Sequence, residues 1–563
     1  MNNKSFLTES IMQGQDWKGL ELAVMRLLSH CGWENIQYVG ESGDKGADIL
    51  AVRYNKEFGL KETFLFQVKA VHSAYYVQTK AINQAITAQS YYGAKIVVVV
   101  TNGDFTNAAK ERRSELKKQG YDVRLWNGVF LEKLLDQFPQ KSSCFRVPRI
   151  EYQSGIIDSV VESYKKGKRK SMFVIATGLG KTVIAATIAN KLFELGLKKI
   201  LVLCHAVDLA IQLQREFWSQ ISKEIPTRNF MAGAPPVPIE GINFGLYQTL
   251  FSYLGGIDQN AFDLIIVDEA HHALANGFLS CINHLTPKFL IGMTATPWRG
   301  DGKTVESIFG EPIASISLID GMRMGFLAKV DYRLMCDNID WGEVHSLTKK
   351  TLSIKDLNKK LFIPQRDDAV ISEIIETMKM VKNPRIAVFS PSITHAKSFV
   401  LKLVSAGIPA ANLSVDDKII RRKALLDFSA GKINCITAVD VLNEGIDIPC
   451  VNILVFLRAT HSRRIFIQQL GRGLRISKGK SEVIVLDFVT DIRRLAAVSE
   501  LNKEAKFGRA MGNETVYLRN GVVTFNNTNV QKFIDAWIND IASLQDCDDA
   551  EKLRFPDMEV INE

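Results

Sequence analysis

Apolar residues recur along the chain in two periods, and the switches between them mark out the elements. Over residues 17–28, Leu20, Ala23, Val24, Leu27 and Leu28 fall on one face of a helix with Glu21 beside them. Residues 47–52 and 63–69 read as strands joined by a charged turn. In the second of these, Gln67 and Lys69 share a face, because side chains alternate with period two. Asp48, on the neighbouring run, is placed to lie opposite them. Residues 96–100 form another strand, and the pattern breaks around Pro139 to Pro148, as a linker would. A helix over 154–164 precedes an apolar run, 172–175, and a helical pattern over 183–195 follows. Strands at 200–203, 262–267 and 290–293 continue this unit. Past Gly321–Gly325 a second α/β unit begins, with a strand at 386–389. Near the end, residues 515–525 read as a hairpin turning at Asn520-Gly521, followed by a helix over about 530–544 and an acidic stretch. The expectation is an α/β protein in four parts, 1–140, 141–325, 326–500 and a small α+β extension at 501–563.

Composition changes this picture little. The 563 residues, 46% hydrophobic and 23% charged, describe globular material, and the net charge of +9 is compatible with a polyanionic partner. The eight cysteines include no Cys-x-x-Cys pair, which argues against a zinc site or a disulfide framework and fits a reducing cytosol. No cleavable apolar leader and no run of ~20 apolar residues is present, so a cytoplasmic protein without a membrane segment is expected.

The segment Ala176-Thr177-Gly178-Leu179-Gly180-Lys181-Thr182 lies between strand and helix, the layout of a nucleoside-triphosphate phosphate cradle. Backbone N–H groups at the helix start face the phosphates, Lys181 adds a point charge, and Thr182 offers a hydroxyl to Mg²⁺. The strict pattern has a glycine where this chain has Ile175, so an ordinary turn is the competing reading. Downstream, the apolar run 262–267 ends in Asp268-Glu269-Ala270-His271. A carboxylate at such a strand end can hold Mg²⁺ (Asp268), and a second can orient and deprotonate the attacking water (Glu269).

Asp-Glu-Ala-His after such a loop resembles the DEAH-type signature of superfamily 2 helicases. The resemblance extends in chain order through Leu209 and Gln212, Tyr247-Gln248-Thr249, Thr294-Ala295-Thr296-Pro297, residues 440–449 and Gln468-Gln469-Leu470-Gly471-Arg472-Gly473-Leu474-Arg475. It implies two RecA-like lobes with ATP between them. Gln153 reads adenine, Gly445 approaches the nucleic-acid strand, Asp447 approaches the ribose, Gln468 belongs to the last motif, and Arg472 and Arg475 act as arginine fingers. Within the superfamily, the last motif and His461-Ser462-Arg463-Arg464 look most like the motor subunits of type I and type III restriction enzymes, with XPB-like repair helicases close behind. Double-stranded DNA is the partner this implies.

In the first 140 residues, an Asp, a Gln and a Lys on paired strands can hold Mg²⁺ and activate water, the lysine stabilising the attacking hydroxide. The spacing resembles the Mrr-type branch of the PD-(D/E)xK restriction nucleases, which implies that Glu21, Asp48, Gln67 and Lys69 carry the site. Gln67 is a neutral ligand where many relatives use a carboxylate, so a domain that only grips DNA is the alternative.

Together these imply an ATP- and Mg²⁺-dependent DNA translocase fused to a nuclease and serving restriction of invading DNA. No methyl-donor loop or Asn-Pro-Pro-Tyr tetrad is present. Self-protection therefore rests on a separate methyltransferase, on sensing of modification, or on another partner. The alternative is a repair or remodelling ATPase whose first domain binds DNA without cutting. An RNA helicase is the third reading.

Overall fold

The computed structural model describes residues 6–40, 46–55, 59–72, 75–137, 140–142, 145–230, 236–295, 305–335, 351–353, 355–356, 367–414, 418–439, 448, 450–457, 473–476, 480, 482–488 and 552–554. Three α/β sheets organise them. In the first, five strands lie in chain order: Glu34–Tyr38, Ile49–Asn55, Leu60–Lys69, Ile96–Thr101 and Asp122–Trp126. The first three pair antiparallel and the last two join in parallel. Every residue of Ile96–Thr101 is buried, as expected of a central strand covered on both faces. The helix Trp17–His30 packs on this sheet. Asp16 caps its start by accepting the Gly19 N–H at 2.7 Å, and Leu20, Val24, Leu27 and Leu28 form its buried stripe.

The second sheet has seven strands in the order Thr227–Phe230, Gly241–Leu246, Lys199–Cys204, Leu264–Asp268, Phe289–Thr294, Lys170–Ile175 and Pro312–Ile316. Its central pairs run parallel. The interior strands are near-continuous apolar runs, so their C-terminal ends are the place where polar residues collect and ligands of such sheets bind. The third sheet, in a separate compact unit, orders six strands: Lys329–Met335, Glu482–Phe488, Ile453–Phe456, Ile386–Phe389, Cys435–Ala438 and Ala410–Asn412. Its registered pairs are parallel. The strand Lys329–Met335 opens this sheet well before the expected strand at 386–389. A short antiparallel pair, Thr351–Ser353 with Lys552–Arg554, joins positions 199 to 203 residues apart and has no local signature. The expected hairpin at 515–525 and helix at 530–544 lie outside the described residues.

No described helix is long and apolar enough to cross a membrane.

Candidate active sites

Asp48 stands just ahead of the Ile49–Asn55 strand, its N–H donating to the Phe66 carbonyl at 2.9 Å. That register aims its carboxylate at the end of the Leu60–Lys69 strand. There Asp48 Oδ2 accepts from the Val68 N–H at 2.6 Å and from Gln67 Nε2 at 2.7 Å. From the overlying helix comes Glu21, 5% exposed, whose Oε2 accepts the Tyr38 hydroxyl at 2.7 Å. Lys69 is half-buried at the same strand end. Burial, and then the nearby Asp48 charge, raise the Glu21 carboxyl to about 7, against the smaller opposing effects of the Tyr38 hydrogen bond and of Lys69 and Lys18. The structure therefore brings the four expected residues together and adds Tyr38, which sequence reasoning missed. Beyond Lys69, Asn102 staples the chain by accepting the Val71 N–H and donating to the carbonyls of Val71 and Met12.

The donor set fits a hard divalent cation. Gln67 is fully buried, and its Oε1 has no hydrogen-bond partner while its Nε2 is spent on Asp48. An unsatisfied buried oxygen is costly unless something electropositive reaches it. Two carboxylates and an amide oxygen are the ligand types Mg²⁺ takes, with water completing the shell. Among the described residues no group of three or more His, Cys, Asp or Glu is arranged to hold a metal ion, so a cation here relies on Gln67 where a third carboxylate would otherwise serve.

The raised carboxyl has a stability consequence. Glu21 titrates near 4.5 in the unfolded chain and near 7 in the fold, so the folded state holds the extra proton between those values. Its contribution is complete below about 4.5 and is lost as pH rises through about 7, a swing on the order of 3 kcal/mol. In metal-free buffer, Glu21→Gln is expected to raise the melting temperature relative to wild type more at pH 8 than at pH 5. An equal difference at both pH values would contradict the assignment.

At the second sheet, the Lys170–Ile175 strand ends in the glycine turn. Gly178 and Gly180 have φ of 92° and 84°, the left-handed region that glycine enters without a Cβ clash. The helix Lys181–Glu194 starts at once, with Thr182 in its first turn and the unpaired N–H groups of a helix start at that end. Lys181 Nζ meets Glu269 Oε1 at 2.7 Å, the two side chains being 12% and 17% exposed. Glu269 itself is left-handed, with φ 45° and ψ 55°, a conformation costing a non-glycine residue about 1 kcal/mol. The strained turn directs its carboxylate at Lys181, with His271 Nδ1 3.4 Å from Oε2.

Asp268, 4% exposed, ends the Leu264–Asp268 strand. Burial is the main effect that raises its carboxyl, with the Glu269 charge adding to it and Lys181 opposing. Burial also acts to raise Glu269, but Lys181 and then His271 override it and hold that carboxyl well below the usual range. Glu269 is thus ionised and occupied by Lys181. A phosphate that drew Lys181 away would leave the anionic Glu269 beside the Asp268 carboxyl.

Other expected residues are placed less simply. Gln153 is buried, its Oε1 accepting the Arg149 N–H at 2.9 Å and its Nε2 donating to the Tyr152 hydroxyl at 3.2 Å. Gln248 donates to the His205 carbonyl at 3.1 Å, and Tyr247 stacks on Phe278 at 4.8 Å. Gln212 donates to Glu216 at 2.8 Å, and Leu209 lies on the same helix, Val207–Trp218. Thr294 ends its strand buried. Arg475 forms an isolated antiparallel bridge with Leu327 in the second unit. Gly445, Asp447, Gln468, Arg472, Thr296 and Pro297 lie outside the described residues.

Comparison with known proteins follows the same division. Residues 12–135 match the family model "Restriction endonuclease", 147–299 match "Type III restriction enzyme, res subunit", and 367–477 match "Helicase conserved C-terminal domain". IRC3 of Saccharomyces cerevisiae is 25% identical over 362 residues, 62% of this chain and 52% of IRC3. The DNA 3'-5' translocase XPB2 of Sulfurisphaera tokodaii is 25% identical over 403 residues, 64% of this chain and 85% of XPB2. The type I restriction enzyme EcoAI endonuclease subunit of Escherichia coli is 26% identical over 410 residues, 65% of this chain and 49% of that subunit. The chain thus spans about half the length of two of these three relatives. It joins an Mrr-type restriction-endonuclease-like domain to a superfamily 2 helicase core resembling the motor subunits of type I and type III restriction enzymes.

Proposed function

We propose that this chain is an ATP-dependent DNA translocase that carries its own Mg²⁺-dependent nuclease and cleaves invading DNA. The observation that carries the reading is the pair of sites on one chain. Lys181 and Glu269 form a motor site. Glu21, Asp48, Gln67 and Lys69 form a cation and hydrolysis site with a buried oxygen in want of a cation.

In the motor, Lys181 and Thr182 hold the phosphates and their magnesium ion together with Asp268, while Glu269 orients and deprotonates water. Gln153 holds adenine. Gly445, Asp447, Gln468, Arg472 and Arg475 act from the second α/β unit on strand, ribose and γ-phosphate. In the nuclease, Glu21, Asp48 and the Gln67 carbonyl would hold Mg²⁺, which when bound supplies charge neutralisation and an acidified water. The Lys69 ammonium stabilises negative charge as it develops on the attacking oxygen. Domain limits of 1–140, 141–325, 326–500 and 501–563, a cytoplasmic location and a separate methyltransferase or defence subunit as partner belong to the same proposal.

Comparing nucleic acids as activators of ATP hydrolysis tests the motor half. Duplex DNA is expected to stimulate most, and stronger stimulation by RNA would contradict the proposal. A second reading, a repair or remodelling ATPase with a non-cutting DNA-binding domain, is favoured by one observation. Gln67 brings no charge to the cation site and is tied to Asp48, which weakens metal affinity.

A further inference from the structure

The helix that carries Glu21 has a second buried polar residue that neither site uses. Arg26, 1% exposed, points away from the nuclease sheet. Its Nη1 donates to the Ile225 carbonyl at 2.6 Å and its Nη2 to the Ser222 carbonyl at 2.9 Å, and the guanidinium lies 4.4 Å from the centre of the Phe6 ring. Ser222 and Ile225 belong to the turn that follows the helix Val207–Trp218 of the second sheet's domain, and that helix packs against the Glu21 helix. Among the described residues no carboxylate forms an ion pair with Arg26, so the cation is buried against peptide carbonyls and the Phe6 ring.

Burying a guanidinium in this way is a poor route to stability, since an apolar side chain of similar size costs less. The rigid fork does give a fixed geometry: two donors reach two carbonyls on one turn. The same turn collects further bonds. The Phe6 N–H donates to the Lys223 carbonyl at 3.1 Å. Lys223 Nζ reaches the Leu135 carbonyl at 2.9 Å, and Gln140, within the expected linker, bonds Glu224 at 2.9 Å and Ser222 at 3.2 Å. Gln140, expected to lie in a linker, is therefore itself held on the second sheet's domain.

We propose that Arg26 is a positioning residue that locks the nuclease-type domain onto the first ATPase domain, so that the Glu21 helix travels with the motor. Glu21 and Arg26 lie five residues apart on one helix, ~7.5 Å along its axis. One end of that lever is the cation site. The other end is the turn closing the helix that carries Leu209 and Gln212, which the family resemblance assigns to strand contact. DNA held by the motor then meets the nuclease at a fixed offset, which a swinging domain would not provide.

The test compares full-length wild type, Arg26→Met and the charge-keeping Arg26→Lys by amide hydrogen exchange. In Arg26→Met the Phe6 and Lys223 amides are expected to exchange about tenfold or more faster, with the Ile96–Thr101 strand unchanged, and Arg26→Lys to fall between. The functional arm rests on the proposed translocase-nuclease. ATP turnover in Arg26→Met should stay within about twofold of wild type while ATP consumed per DNA break rises about tenfold. Unchanged exchange at Phe6 and Lys223 would overturn the lock. So would a loss of protection spreading evenly to Ile96–Thr101, which would make Arg26 a core residue of its own domain. The exchange arm decides even if the wild type does not cut DNA, so failure of the lock and failure of the nuclease reading remain distinguishable.

Discussion

Lys181→Ala is expected to lower DNA-stimulated ATP hydrolysis by at least ~100-fold, and Glu269→Gln by a similar factor. The two act differently. Lys181 supplies charge to the phosphates, so its loss should weaken nucleotide binding as well as turnover. Glu269→Gln keeps the shape of the turn and removes the base, so nucleotide should still bind. Because Lys181 and Glu269 pair at 2.7 Å before nucleotide arrives, removal of the carboxylate also frees Lys181. Glu269→Gln is therefore expected to bind ATP at least as tightly as wild type while failing to hydrolyse it. Steady-state hydrolysis with equilibrium binding of a fluorescent nucleotide measures both. Full turnover in either variant would remove the roles assigned here.

Lys69→Ala is expected to abolish DNA cleavage, by ~100-fold or more, with DNA-stimulated ATP turnover unchanged. Lys69 is the cleanest probe of that site. Asp48 accepts hydrogen bonds from both Gln67 and the Val68 N–H in the domain interior, and its removal would leave buried donors unsatisfied and weaken the fold itself. Lys69 is half-buried at a strand end and takes part in neither of those two hydrogen bonds. Loss of ATP turnover in Lys69→Ala would mean that the substitution damages more than the nuclease site.

Much of this was legible in the residues. Alternation of period two put Gln67 and Lys69 on one face, and antiparallel pairing brought Asp48 to them. The glycine turn and Asp268-Glu269 were readable because buried parallel strands are apolar until they end, so charge at a strand end stands out. What stayed hidden depends on contacts distant in sequence. Tyr38 meets Glu21 only because the first strand folds back beside the helix. Arg26 reads as an ordinary helix residue, and only the position of Ser222 and Ile225 reveals its burial. The left-handed turn of Glu269 also has no local signature, since glutamate rarely adopts it. Gln153 was legible as a candidate, but its present bonds to Arg149 and Tyr152 were not.

The central claim, a motor and a working nuclease on one chain, is tested most directly by incubating the full-length protein with supercoiled and linear duplex DNA and Mg²⁺. ATP is compared with a non-hydrolysable analogue. The account predicts nicking or linearisation by wild type with hydrolysable ATP, and none by Lys69→Ala. Intact DNA under every condition, including with the products of neighbouring genes added, would contradict it and leave the non-cutting remodelling ATPase as the better description.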